Sequence, residues 1–307
     1  MKTLGKESNF TFYLIVNSDL PKSPLFKTKS SRHHYIPQFL LEGFTSSDGM
    51  IYVYDKMVNR IHKNPRPPKS VFFEKDRNTI PLKDNLESSI LEDYLYSMID
   101  NEGSRIVRQY QTQALNEIIF DGKDIAHLLF FLINLFWRIP LTDYAVQDLM
   151  ERSDIVSPGI DPEILRNDPA YKKIMRAGLF KHHIEEMRNF GKSGKSLVNI
   201  HSNEYPIFVI GDYPILFRKT PTEFRSFGET DFIFPLNSGR IYTSTQEPFK
   251  LTKPVSLLIN AAIIDQSKRY VGCWSKEILE SSIKLLDDLK KNGMNYELPA
   301  YLFEQPE

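Results

Sequence analysis

An α+β fold is the class this sequence predicts, and three observations carry the prediction. Residues 84–192 hold apolar side chains at helical spacing, and residues 197–307 hold short apolar runs separated by turns. Residues 10–82 alternate and turn in the manner of strands, loops and short helices. A helical centre between strand-forming ends is an α+β order, and 307 residues allow one large domain or two smaller units sharing an interface, of which one compact unit over 1–307 is expected.

The elements follow in order. Within "RHHYIPQFLLEGF", Pro37 suits the first helical position and Gly43 stands where a left-handed C′ residue is expected, so a short helix is predicted over 37–42. Alternation in "MIYVYDK" predicts a strand, with "NRIHK" as its hairpin partner. In "DNLESSILEDYLYSMIDNEGSRIVRQY", Leu86, Ile90, Leu95, Ile99 and Ile106 mark a helix with Asp84 or Asn85 as N-cap. A second helix begins near Asp121 or Gly122 and stops at Ile139-Pro140, because a residue before proline is driven out of helical geometry. A third spans about 161–190, with a break at "NDPAY" and an end at Gly191 and Gly194. Beyond it, "LVNIHS", "YPIFVIGDYPILF", "TDFIFPLNSGRIYTST", "VSLLINAAIID" and "RYVGCWS" read as strands, the fourth of them partly helical, before a closing helix at 275–291.

Composition narrows the partners. Lys plus Arg and Asp plus Glu each total 39, so no net charge draws the chain to nucleic acid or lipid, and any basic surface is local. The single cysteine, Cys273, excludes an internal disulfide and a cysteine-rich zinc site, and a cytoplasmic location is expected. The most apolar window, "IAHLLFFLINLFW", has thirteen residues, short of the roughly 20 a bilayer span needs. No membrane association is expected.

The chemistry-bearing residues begin at "SRHHYIPQF". If the helix starts at Pro37, then Arg32, His33 and His34 lie in extended chain at its N-terminal mouth, where backbone N–H groups and the dipole attract anions. The same field favours a neutral imidazole, fit to act as a general base or metal ligand. Successive residues of extended chain point to opposite sides, so one histidine faces the site and the other fixes structure. The plainer alternative is that Tyr35, Phe39, Leu40 and Phe44 dock the helix and both histidines bond to neighbouring carbonyls.

These residues resemble the bacterial domain family of unknown function DUF4238. The resemblance starts at "HHYIPQFLLEGF" (33–44) and runs through "YVYDK" (52–56), "FFEKD" (72–76), "NLESSI" (85–90) and "INLFWRIP" (133–140). It continues in "FVIGDYPILF" (208–217), "FPLNSGRIY" (234–242), "LIN" (258–260) and "RYV" (269–271), and so covers most of the chain. Glu42-Gly43 and Tyr213 depart from the family's commoner residues. The resemblance implies an architecture and a candidate site in a bacterial protein, and no reaction.

Asp212, at a strand end in Gly-Asp-Tyr-Pro, is read either as a metal ligand or histidine orienter, with Gly211 admitting a close neighbour, or as an Asx-type turn. Arg138 closes an apolar run and needs a partner. Glu87 or Asp212 would make it structural, and a phosphate would make it a clamp. Gln38 joins Arg32 and Arg138 as an anion-binding candidate. "HHIEEM" (182–187) lacks the spacing of a zinc helix, and "GKSGKS" (191–196) has Asn189 where a phosphate loop needs glycine. Together, His33, His34 and Asp212 as catalytic residues, with a divalent metal ion, predict a hydrolase of phosphodiesterase or nuclease type acting on a nucleotide or nucleic acid. The alternative is a non-catalytic interaction or sensor module whose motif is a structural polar network. The hydrolase requires the fold to bring positions 33–34, 138 and 212 together.

Overall fold

A computed structural model describes residues 32–81, 87–118, 122–152, 161–177, 199–218, 230–245, 249–295 and 298–304. Their architecture is α+β, with four sheets that are antiparallel throughout.

Strand β1 (Arg32–His34) leads into the helix α1 (Gln38–Glu42) and pairs with β4 (Phe73–Lys75). The hairpin of β2 (Tyr52–Asp55) and β3 (Arg60–Ile61) forms as the alternation predicts. Strands β5 (Ile80–Pro81) and β6 (Glu87–Ser88) make a second small sheet. A helix start at "NLESSI" is thereby corrected: Glu87 and Ser88 are strand, and helical geometry begins after them with a π-turn at Leu91–Tyr96 that runs into α2 (Ser97–Thr112). The predicted caps Asp84 and Asn85 lie outside the described residues.

Helix α3 (Gly122–Arg138) holds the apolar window and is buried from Leu128 to its end, except for Phe130. It stops as predicted, because Ile139, before Pro140, is extended at φ −73° and ψ 149°. A 3₁₀ turn then starts α4 (Asp143–Arg152), and α5 (Pro162–Asn167) follows. The break at "NDPAY" falls at Asp168, whose Oδ1 accepts the Ala170 N–H (2.8 Å) and opens a helical stretch at 169–177. Gly191, Gly194 and the histidines of "HHIEEM" lie outside the described residues.

In the last third, β7 (Asn199–Ser202), β8 (Ile210–Gly211), β9 (Leu216–Phe217), β10 (Phe232–Asn237) and β11 (Arg240–Ser244) form as expected. The run "VSLLINAAIID", expected to be strand and partly helix, is helix throughout: α6 (Lys253–Gln266) starts on Thr252, whose side chain accepts the Val255 N–H. Its apolar residues lack helical periodicity because the helix is buried on several sides, with Val255, Ile259, Ala261, Ala262, Ile263 and Ile264 all inside. Strand β12 (Tyr270–Cys273) and helices α7 (Lys276–Lys291) and α8 (Leu298–Phe303) complete the chain.

The ends of the chain share a sheet instead of forming separate layers. Its order is β3-β2-β12-β8, so the N-terminal hairpin lies directly beside a strand more than 200 residues later. The second four-stranded sheet runs β7-β11-β10-β9. One apolar cluster, from Tyr35 to Leu302, joins both sheets to α3 and α6. Gly43 ends α1 at φ −67°, so it supplies no left-handed cap; a Cβ there would stand 2.9 Å from Asn237 Cβ and 3.2 Å from Leu236 O. Its small size lets α1 press against the end of β10.

Candidate functional site

The register of β1 on β4 sets His33 opposite Glu74 and His34 opposite Phe73, on alternate faces of the strand. Both histidines are buried. His33 Nδ1 accepts the Asn78 backbone N–H at 2.9 Å, which makes that nitrogen the unprotonated one of a neutral ring. His34 packs its ring 5.7 Å from Phe73 with Nδ1 3.4 Å from the Gln38 amide, and its Nε2 is buried without a hydrogen-bond partner among the described residues. Burial, and next the nearby Arg138 charge, hold His34 below its ordinary pKa.

The mouth expected to bind anions opens on a short helix. Helix α1 has five residues, Pro37 is buried and has no N–H, and the Tyr35 N–H is taken by Phe72 O (3.1 Å). Arg32 lies on the surface with its guanidinium 5.2 Å over the Phe73 ring. Gln38 is exposed. The predicted anion set of Arg32, Gln38 and Arg138 is therefore divided between surface and interior.

Arg138 lies at the buried end of α3. Its Nη1 reaches both Asp100 oxygens (2.9 and 2.8 Å), Glu92 lies 3.8 Å away, and the Tyr96 ring is 4.8 Å from Cζ. Burial opposes its charge, but Asp100 and Glu92 outweigh burial and raise its pKa. The carboxylates are not those expected: Glu87 is exposed on β6, and Asp212 is engaged elsewhere. The ion pair fastens α2 to α3, which favours the structural reading of Arg138.

Residues that sequence reasoning passed over tie this cluster together. Asn78, fully buried, gives its N–H to His33 and its amide to Glu92 (2.7 Å), and receives Arg176 Nη2 on Oδ1 (2.7 Å). Arg77 grips Asp143 with both terminal nitrogens (3.0 and 2.7 Å), reaches Glu74 (2.7 Å) and donates Nε to Arg138 O (2.9 Å). Arg176 shares Asp143 Oδ1 at 3.3 Å. The signal available was local: Phe72 and Asp76 carry positive φ (53° and 54°) on either side of β4, and the "FFEKD" motif ends one residue before Arg77.

Asp212 belongs to a second knot. Its oxygens accept the backbone N–H groups of Lys268 (2.8 Å), Arg269 (2.7 Å) and Tyr270 (3.0 Å), and the residue is buried. Burial raises its pKa, and those three donors work in the opposite direction. Lys56, the last residue of "YVYDK", donates to Ile264 O (2.5 Å), Asp265 O (2.9 Å) and Ser267 O, closing the C-terminal carbonyls of α6. Asn260 of "LIN" accepts the Val209 N–H (3.1 Å) and donates to Ile207 O (2.8 Å). The neighbour that Gly211 admits is α6: a Cβ would lie 3.0 Å from Ile263 Cγ2 and collide with Ser267 Oγ. The N–H groups that Asp212 satisfies come from residues 268–270, a distant segment, and not from the local turn expected of it.

Among the described residues, no group of three or more His, Cys, Asp or Glu side chains is placed to hold a metal ion. Cys273 is buried, which pushes its thiol pKa up to about 12. No single described helix is long and apolar enough to cross a membrane.

Comparison with known proteins brings one finding. No curated protein and no solved structure matches the chain. A family model described as "Protein of unknown function (DUF4238)" matches residues 32–276, which contain both knots and every candidate residue. The chain belongs to the DUF4238 family.

Proposed function

We propose that the chain is a non-catalytic interaction module, in which the His/Arg/Asp motif is a framework and not a reaction centre. The single observation that carries this reading is that the protein itself holds most of the motif's polar groups, with His34 Nε2 and Arg138 Nε the buried exceptions among the described residues. His33 Nδ1, both Asp212 oxygens and the terminal nitrogens of Arg138 are held by intramolecular partners, and His33, Arg138 and Asp212 are each 6% exposed or less. A general base must come within about 3 Å of the proton it removes, and a clamp must touch its phosphate. Groups sealed in this way serve the fold first.

The experiment pairs stability with turnover. His33→Ala and Asp212→Asn are each expected to lower the melting temperature by several degrees, because each leaves a buried N–H unsatisfied at about 1–3 kcal/mol. Wild type, with Mg²⁺ or Mn²⁺, is expected to leave bis-p-nitrophenyl phosphate and short DNA and RNA oligonucleotides intact. Metal-dependent cleavage that His34→Gln abolishes without changing the melting temperature would restore the hydrolase.

A further inference from the structure

The positive charge of the framework reaches the surface at one place. A cleft of about 430 Å³ lies between β4, the start of α4 and the helical stretch 169–177, and Lys75, Arg77, Lys172, Lys173 and Arg176 line it. Its acidic lining residues are Glu74, Asp76 and Asp143, so cations exceed anions. That excess is local in a chain whose formal charge is zero.

Two of the cations are pre-positioned. Arg77 and Arg176 have side chains only 4% and 7% exposed and share Asp143, whose own side chain is half exposed. Of the five N–H groups each guanidinium carries, Arg77 commits four and Arg176 three to partners within the described residues. Arg176 Nε is buried without a partner among the described residues. Lys173 donates to two carbonyls, Asp76 O (2.9 Å) and Thr79 O (2.6 Å), and to no carboxylate among the described residues. Burial, then the Arg176 charge, lowers its pKa.

We propose that this cleft binds the phosphate group of a small phosphorylated molecule. Lys75, Lys172 and Lys173 supply the ammonium donors that can reach an oxyanion, and the buried guanidiniums of Arg77 and Arg176 behind them add fixed positive charge. The volume is that of a small-molecule site, and Val146 and Pro169 give one wall an apolar surface for the organic part. A long nucleic acid is disfavoured, since its affinity needs many phosphate contacts spread along a basic stripe. The inference rests on reading the chain as a binding module and names what it binds.

The test is calorimetric titration of the full chain at low ionic strength with inorganic phosphate, adenosine 5′-monophosphate and adenosine. The expected result is saturable binding of the two phosphates at one site per chain, and none of adenosine. Tighter binding of the nucleotide assigns an organic phosphate, and equal binding assigns the free ion. Lys172→Glu reverses a charge on the partly exposed cleft wall and is expected to weaken binding about tenfold, the loss of one charge-assisted contact. Lys284→Glu, an exposed change of the same charge on α7, is expected to leave it unaltered. The proposal is overturned if folded wild type binds neither phosphate, or if Lys172→Glu and Lys284→Glu behave alike. Assaying the titrated nucleotide for hydrolysis separates the two ideas: binding with turnover sinks the non-catalytic reading alone, and absence of binding sinks the ligand site alone.

Discussion

His34 shows how burial, not residue type, assigns a role. Burial, and next the Arg138 charge, make this histidine costly to protonate, so its folded pKa lies below the value of 6.5 it has in an unfolded chain. Above pH 6.5 both states are neutral at this position and it contributes no pH dependence. As pH falls through 6.5 the unfolded chain takes up a proton that the folded chain refuses, and stability declines until the folded pKa is reached. The maximum slope from one such group is about 1.4 kcal/mol per pH unit. His62 and His201 are also held low by burial, so the informative quantity is a difference. Urea denaturation of wild type and His34→Gln between pH 7.5 and 5 is expected to show the shallower loss in the variant. Parallel profiles would mean that His34 titrates normally and that its surroundings are wetter than the fold indicates.

Between elements, the ion pair of Arg138 with Asp100 joins the end of α3 to the first turn of α2. Burial raises the Asp100 pKa even against the Arg138 charge, so the pair's attraction does not fully offset what the carboxylate lost in leaving water. Arg138→Met is therefore expected to cost about 3–5 kcal/mol by stranding Asp100, whereas Arg138→Met with Asp100→Leu recovers most of that loss. Denaturant titration of the four proteins in the cycle measures the coupling, and strictly additive losses would refute it. The same junction shows what sequence can convey. The stop of α3 and the β2–β3 hairpin were legible because proline geometry and alternation act within a few residues. The start of α2 was misplaced because Glu87 and Ser88 pair with β5, a tertiary choice that overrides local helical spacing. The candidate site was legible as a set of polar residues beside apolar runs. Its meaning was not, because Asn78, Glu92 and Arg176 come from separate segments, and each decides whether the motif's polar groups are free or consumed.

For the whole molecule, the decisive contact is β12 with β2, which places Tyr270–Cys273 against Tyr52–Asp55 in the middle of a four-stranded sheet. Lys56 reinforces it by closing the end of α6, and Asp212 clasps the turn that leads from α6 into β12. Neither end of the chain can complete this sheet without the other, and the core cluster from Tyr35 to Leu302 offers no apolar seam along which the described residues divide. A single cooperative unit is therefore expected, one of the two arrangements, one large domain or two smaller units, that the length allowed. Heating the full chain is expected to give one transition, coincident by far-UV and near-UV circular dichroism. A chain beginning at residue 77, which lacks β1 to β4 and Lys56, is expected to lose that transition, because removing the hairpin exposes one edge of β12 and leaves the C-terminal carbonyls of α6 unclosed. Lys56→Met provides the milder test, withdrawing only the closure and lowering the midpoint without splitting it. Two separated transitions in the full chain, or a cooperative melt in the truncated one, would show that the helical and C-terminal parts fold without the opening motif. The motif would then require a purpose other than the framework assigned to it.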